Sequence, residues 1–410
     1  MGEYKTFFLS SRKHVFTCLV LFFMLLCLFT RSNMPKYGDV DVCYIPAGLA
    51  YISNASLDTV NWEHPPLAKY ILGLWYSVFG DVFWVSLLSA LITLLSFYLI
   101  ALHVHGRFWS FILLLILSID TLFMSVSSSG ILDVFSLAFL MLFLLLWFKF
   151  RSRISYVPLA GLFAGLSLAC KWSSSPVVII SLIAAPWVFR SSNWRRLLTR
   201  IFLALIFIVI AYTATYIPLI LKENGFNKFI LLQFKMLNYH SFRHGITFYR
   251  VFNGLCKVFL RFNIFKYMTM GHYVFYKTTV NGTVTLLTKH IGEVSFKGYK
   301  VYVFLGVPGL SSILFFPALA FNIWLLFKGR IKDVQNKLLI LYALASTINL
   351  FPGPLDWYAY NILPFYYLLF PKYLSVLGVK KSYLIPLILN AISLCFLGFN
   401  IVAYEFIIKV

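Results

Sequence analysis

The sequence predicts an all-helical, multi-pass membrane protein, and three observations carry that prediction. Of its 410 residues, 61% are hydrophobic and only 12% charged, against about 45–50% and roughly 25% in soluble domains. Forty-three Phe and 25 Tyr form an aromatic load that no water-facing surface holds. Apolar runs of membrane-spanning length alternate with short basic clusters. Together these exclude a soluble enzyme, a disordered chain and a coiled coil.

A helix needs about 20 apolar residues to cross a bilayer. The runs that qualify, some with ragged ends, are 14–30, 82–102, 108–126, 131–148, 155–170, 173–189, 201–221, 301–327, 338–351, 357–378 and 383–404, a bundle of about 11 helices. The first is preceded by Arg12 and Lys13 and followed by Arg31-Ser-Asn-Met-Pro35 rather than a small-residue cleavage site, so it is read as a retained helix with a cytoplasmic N-terminus. The clusters 103–107, 149–153, 190–200, 328–337 and 380–381 then all fall on the cytoplasmic side, as the positive-inside rule requires.

The net charge of +22 is therefore explained by loop orientation, and membrane lipids rather than nucleic acid are the expected surroundings. Six cysteines show no metal-binding spacing; Cys43 and Cys256 could meet outside the membrane.

The predicted organisation is a cytoplasmic N-terminus and first helix (1–30), an external loop (31–81), helices two to seven (82–221), a second large external loop (222–300) and helices eight to eleven (301–410). The second loop is basic, with Glu223 and Glu293 as its acids, but long loops translocate largely regardless of charge. Both glycosylation sequons, at Asn54 and Asn281, fall in these external segments. No pair of interrupted helices repeats across two halves, which weighs against a transporter or flippase. Two large loops on one side favour an enzyme whose active face looks outward, to the cell exterior or the endoplasmic reticulum lumen.

With only 13 acids in the chain, those outside the cytoplasmic turns stand out. Asp39 and Asp41 lie just beyond the first helix. Then comes Asn61-Trp-Glu63-His64-Pro-Pro-Leu-Ala-Lys69, stiffened by two prolines and followed by 71–79, too short to span and read as an amphipathic helix in the interface. Asp133 opens an apolar helix and Lys171 closes another. Capping for the first and a snorkelling side chain for the second are the competing accounts.

The run Glu63-His-Pro-Pro-Leu-Ala-Lys69, after a segment with acids and Tyr44, resembles the first external loop of the protein O-mannosyltransferases. It is similar more widely to the phospholipid-carrier-dependent glycosyltransferases of the GT-C class. The resemblance continues at Ser129-Gly-Ile-Leu-Asp133-Val-Phe and at Ala160-Gly-Leu-Phe-Ala-Gly165 through Lys171-Trp172. Weaker echoes lie at Met236-Leu-Asn-Tyr239-His240 and Trp357-Tyr-Ala-Tyr360-Asn-Ile-Leu-Pro364. Two departures are visible. The family's adjacent Asp-Glu is replaced here by Asp39-Val40-Asp41, and the long loop lacks the His-Pro-Tyr-Ala-Ser-Pro-Trp pattern.

The resemblance implies a GT-C-like bundle that moves a sugar, a hexose such as mannose, from a polyprenyl or dolichyl phosphate to an acceptor hydroxyl, with inversion. The acceptor it implies is a protein Ser/Thr, a lipid or lipid-linked glycan being the alternative. A carboxylate must take the hydroxyl proton: Asp41 first, Asp39 second, with Glu63 beside them. Donors must meet the departing phosphate, where charge develops: His64, Lys69, Lys171 and Arg243, an Arg being suited to phosphate by its planar fork. Asp133, Tyr239 and His240 complete the expected site. No His-Glu-x-x-His spacing occurs and no cofactor is required, although a divalent ion between Asp41 and Glu63 is chemically possible.

Overall fold

The computed structural model describes residues 20–28, 39–149, 154–186, 194–243, 272–280, 283–291, 320–321, 323–324, 333–347 and 360–377. Among these residues the chain is helical, apart from one antiparallel hairpin pairing β1 (His272–Val280) with β2 (Thr283–Ile291). The predicted span 383–404, nearly all of 301–327, and Arg250 and His244 of the long loop lie outside the described residues.

After a π-helical turn at Val40–Tyr44, α1 (Ile45–Ile52) and α2 (Leu67–Phe79) form a hairpin of short helices. This hairpin occupies the predicted first external loop. Its helices cross where Gly48 meets Gly73: a Cβ on Gly73 would lie 2.3 Å from the Gly48 carbonyl carbon, and one on Gly48 2.1 Å from the Lys69 oxygen. Only glycine permits that approach. Gly73→Ala is expected to destabilise the protein by about 1–3 kcal/mol through overpacking. Thermal unfolding in detergent measures it, and an unchanged melting temperature would contradict the crossing. The outer side of α2 leaves Leu74, Val78 and Phe79 exposed, as an interfacial helix does.

The bundle follows. The stretch α3 (Phe83–Ser118) comprises two helical arms; the Tyr98 and Phe111 rings, one on each arm, meet at 5.4 Å, so the second arm folds back toward the first. The chain breaks direction at Gly106, whose φ of 77° and ψ of −173° are non-helical. The basic cluster predicted as a connection at 103–107 is where the two arms join, and His105 Nε2 meets the Leu368 carbonyl there at 2.5 Å. The span predicted over 108–126 ends instead at Ile119. Asp120 takes an extended backbone and its carboxylate accepts from the Leu122 and Phe123 amides at 2.9 and 3.0 Å, starting α4 (Thr121–Ser127) afresh.

Next come α5 (Leu132–Lys149), α6 (Tyr156–Cys170), a 3₁₀ turn at Trp172–Ser174, α7 (Ser175–Ile183), α8 (Trp194–Ala214), the one-turn α9 (Ile217–Ile220) and α10 (Gly225–Arg243). Helix α8 begins inside the predicted cytoplasmic cluster at 190–200, taking Arg195, Arg196 and Arg200 into its first turns. Helix α10 lies in what the sequence gives as loop. The described chain closes with α11 (Val334–Thr347) and α12 (Leu363–Leu377).

A core of Leu, Phe and Trp side chains from α3 to α8, α11 and α12 holds the bundle together. Outside it, Leu198, Phe202, Leu205, Val209 and Ile210 of α8 face away from the protein. Helices α3 and α8 are long and apolar enough to cross a membrane. An apolar outer surface around an apolar core has only lipid as its solvent, and the molecule is a helical, multi-pass membrane protein.

Candidate functional site

The segment between α1 and α2 is folded around a buried cation. Lys69, fully buried on the first turn of α2, donates its amine to the Asn61 carbonyl and, at 2.7 Å, to the His64 carbonyl. It also sits 5.7 Å from the centre of the Tyr51 ring, and the Tyr51 hydroxyl ties down the Val60 carbonyl. Asn61 adopts φ 42°, a left-handed turn that Asn tolerates better than most residues, and its amide donates to Glu63 Oε1 at 2.6 Å. Burial pushes the Lys69 ammonium down to about 7, against the opposing pull of Glu63 and the Cys43 thiol.

This folding turns His64 toward α10. The His64 and His240 rings lie 5.2 Å apart, and His64 also meets the edge of Tyr44 at 6.1 Å. His240 Nε2 is 2.7 Å from the Glu63 carbonyl; a carbonyl only accepts, so that nitrogen carries the proton. Burial lowers the His240 pKa, the Glu63 carbonyl opposes the shift and the nearby Lys171 charge adds to it. Trp172 and Tyr239 flank the His240 ring at 5.9 and 5.4 Å, and Tyr239 meets Trp62 at 5.4 Å.

Behind this aromatic surface sits a buried ion pair. Lys171 Nζ is 2.5 Å from Asp133 Oδ2. The other oxygen of Asp133 accepts from Asn361 at 2.9 Å and from Ser173 at 3.4 Å. The fold prepares this cluster locally. Gly130, at φ 79°, makes the turn that starts α5. Lys171 leaves α6 in an extended conformation that carries its side chain back across to α5. Ser136 and Ser167 bond across the same two helices.

The structure thus gathers Glu63, His64, Lys69, Asp133, Lys171, Tyr239 and His240 into one continuous region. It does not present them alike. The amines of Lys69 and Lys171 are both turned inward, onto carbonyls and onto Asp133. Asp39 and Asp41 open the π-helical turn and are exposed. They differ in surroundings. The Cys43 thiol is pushed up by burial first, and then by the charges of Asp39 and Glu63, with Lys69 opposing. Asp39 thus lies within electrostatic reach of the Cys43 thiol. Arg243 ends α10, three residues beyond His240, and its side chain lies outside the described residues. No group of three or more metal-ligating side chains occurs among the described residues.

Several participants were not singled out from sequence. Asn361 and Ser173 complete the shell of Asp133, Trp172 flanks His240, and Trp62 backs Tyr239. Asn361 lies within an echoed motif, but nothing in the sequence pairs it with a residue 228 positions earlier.

Residues 63–218 match the model of the dolichyl-phosphate-mannose-protein mannosyltransferase family. The match begins at the Glu63-His-Pro-Pro-Leu-Ala-Lys69 run and takes in Asp133 and Lys171. It bears out the resemblance to the phospholipid-carrier-dependent glycosyltransferases of the GT-C class. No curated protein matches the chain. Among solved structures, the chain is similar to the crystal structure of an oligosaccharyltransferase from Archaeoglobus fulgidus, tethered by a disulfide bond to an acceptor peptide containing the NVT sequon. The TM-score is 0.47 at 12% identity, over 94% of this chain and 53% of the archaeal one. The chain thus spans about half the length of that enzyme.

Proposed function

We propose that this protein transfers a sugar, a hexose such as mannose, from a polyprenyl or dolichyl phosphate to an acceptor hydroxyl, that of a protein Ser or Thr, at the non-cytoplasmic face of its membrane. The observation that carries the reading is the convergence of Glu63, His64 and His240 beside the Asp133–Lys171 pair; all of these but His240 lie within the stretch matched by the mannosyltransferase family model.

The chemistry asks little covalent work of the protein. A carboxylate takes the acceptor hydroxyl proton as its oxygen bonds to the anomeric carbon from one face. The bond from that carbon to the phosphate oxygen breaks on the other, inverting the centre, and the lipid phosphate leaves with its electron pair. Asp39 is favoured as the base because its charge reaches the Cys43 thiol, with Asp41 two residues away as the alternative. His64, on the aromatic surface, is the donor proposed for the departing phosphate; His240, whose Nε2–H is committed to the Glu63 carbonyl, holds that loop beside it, and Arg243 ends the helix that carries His240. Donors directed at a developing charge are worth most in the transition state. The activity requires no metal.

Transfer onto a lipid-linked glycan is the second reading, favoured by the missing His-Pro-Tyr-Ala-Ser-Pro-Trp pattern in the long loop. Purified protein in lipid nanodiscs, given radiolabelled polyprenyl-phosphate hexoses, is expected to consume one of them and label a Ser/Thr peptide. Label recovered in lipid instead would select the second reading. No donor consumed under any acceptor would refute both.

A further inference from the structure

We propose that Lys69 is a positioning residue, an internal clamp that shapes the 61–64 segment from behind, rather than a ligand of the donor phosphate. The inference deepens the transferase reading above and rests on it for its kinetic arm.

Three observations converge. Lys69 is fully buried, though its neighbours Leu67 and Tyr70 are not. Its amine is directed at two backbone carbonyls of one loop, those of Asn61 and His64, which bracket Trp62 and Glu63. The Tyr51 ring lies 5.7 Å from that amine, while the Tyr51 hydroxyl holds the Val60 carbonyl, so the same loop is fastened at its preceding residue as well. A phosphate ligand needs its donors directed at a cavity. Here the donors point at carbonyls of the chain itself, those of Asn61 and His64.

The effect reaches the site through two groups. The Glu63 carbonyl must face His240 Nε2, and the His64 ring must face the His240 ring. Both orientations follow from the turn that Lys69 closes at its two ends. Releasing the clamp lets Glu63 and His64 drift, and a displacement of about 1 Å at a reacting centre can cost about 10²-fold in rate. Because the amine does not touch the phosphate, donor affinity is spared.

The test compares full-length wild type with Lys69→Met in nanodiscs by hydrogen–deuterium exchange and by kinetics. Amides of residues 55–64 are expected to exchange faster in the variant, while peptides from α5 and α6 keep wild-type protection. The rate constant kcat is expected to fall about 10²-fold with the donor KM little changed. Lys69→Arg is expected not to rescue, since the longer planar fork does not fit a closed pocket.

If Met loosens the whole bundle, seen as faster exchange in α5 and α6, Lys69→Gln carries the same readouts. It keeps an N–H donor and is expected to give intermediate exchange and an intermediate kcat. A raised donor KM with unchanged loop exchange would overturn the proposal and make Lys69 a phosphate ligand. Unchanged exchange together with unchanged kcat would leave Lys69 with no such role, overturning it too. Since the exchange arm needs no substrate, failure of the transferase reading would be seen separately, as wild type that consumes no donor.

Discussion

Asparagine in place of Asp39 is expected to lower sugar transfer by about 10²–10⁴-fold, the usual contribution of a general base. The substitution keeps the shape and hydrogen-bonding reach of the side chain and removes only its basicity. Binding of the lipid donor should persist, because the exchanged group faces the acceptor. Asp41→Asn is expected to be mild. The sequence reading put Asp41 first and Asp39 second. Asp39 is put forward because its charge, with that of Glu63, acts on the Cys43 thiol after burial has raised it. Single-turnover assays with labelled donor decide between them: an inactive Asp41→Asn beside an active Asp39→Asn would restore the order read from sequence. Two active variants would remove the base from this turn altogether and pass the role to Glu63.

The second large effect concerns stability. Lys171→Met is expected to destabilise the protein by about 3–5 kcal/mol, because it strands the Asp133 carboxylate in a buried site. Asn361 and Ser173 remain as donors to one oxygen, which softens the loss without neutralising the charge. Asp133→Leu combined with Lys171→Met removes both charges and is expected to recover most of the stability. Thermal unfolding in detergent distinguishes the three proteins. A single variant that melts with wild type would mean that the pair is not held as described. A double variant that is stable yet inactive would show that the pair matters to transfer through its charge, beyond holding α5 to α6.

The bundle was legible where hydrophobicity and helix length agree. The runs at 131–148 and 155–170 became Leu132–Lys149 and Tyr156–Cys170. Hydropathy alone did not see the break at Asp120, since one acid hardly lowers the mean of a long apolar run. The signal was there in local chemistry, an Asp followed by Thr at a helix start. Helix α10 was hidden for the opposite reason. It buries Phe229, Leu232 and Met236 but exposes Lys228, Gln233 is half-buried, and its composition reads as loop. Among the candidate site residues, Glu63, His64 and Lys171 were singled out because polar groups in an apolar chain attract attention. Which way they point was not available. Lys69 and His64 are five residues apart in one motif, yet one faces the chain's own carbonyls and the other faces α10. That difference is made by the left-handed turn at Asn61 and by contacts with α1, both tertiary.

The Asp133–Lys171 pair also constrains how the chain is assembled in its membrane. Asp133 is synthesised 38 residues before Lys171, and both precede Asn361 by a further long interval. An acid or a lysine at the centre of a spanning helix costs about 2.5–3.5 kcal/mol on insertion scales. Asp133 and Lys171, at helix ends but buried, each meet part of that cost until the other arrives. The translocon is therefore served best by releasing α5 and α6 sideways as a single hairpin, its two charges already joined. Asn361 then docks from a much later stretch of the chain onto a dipole rather than a bare ion, after α5 and α6 are in place.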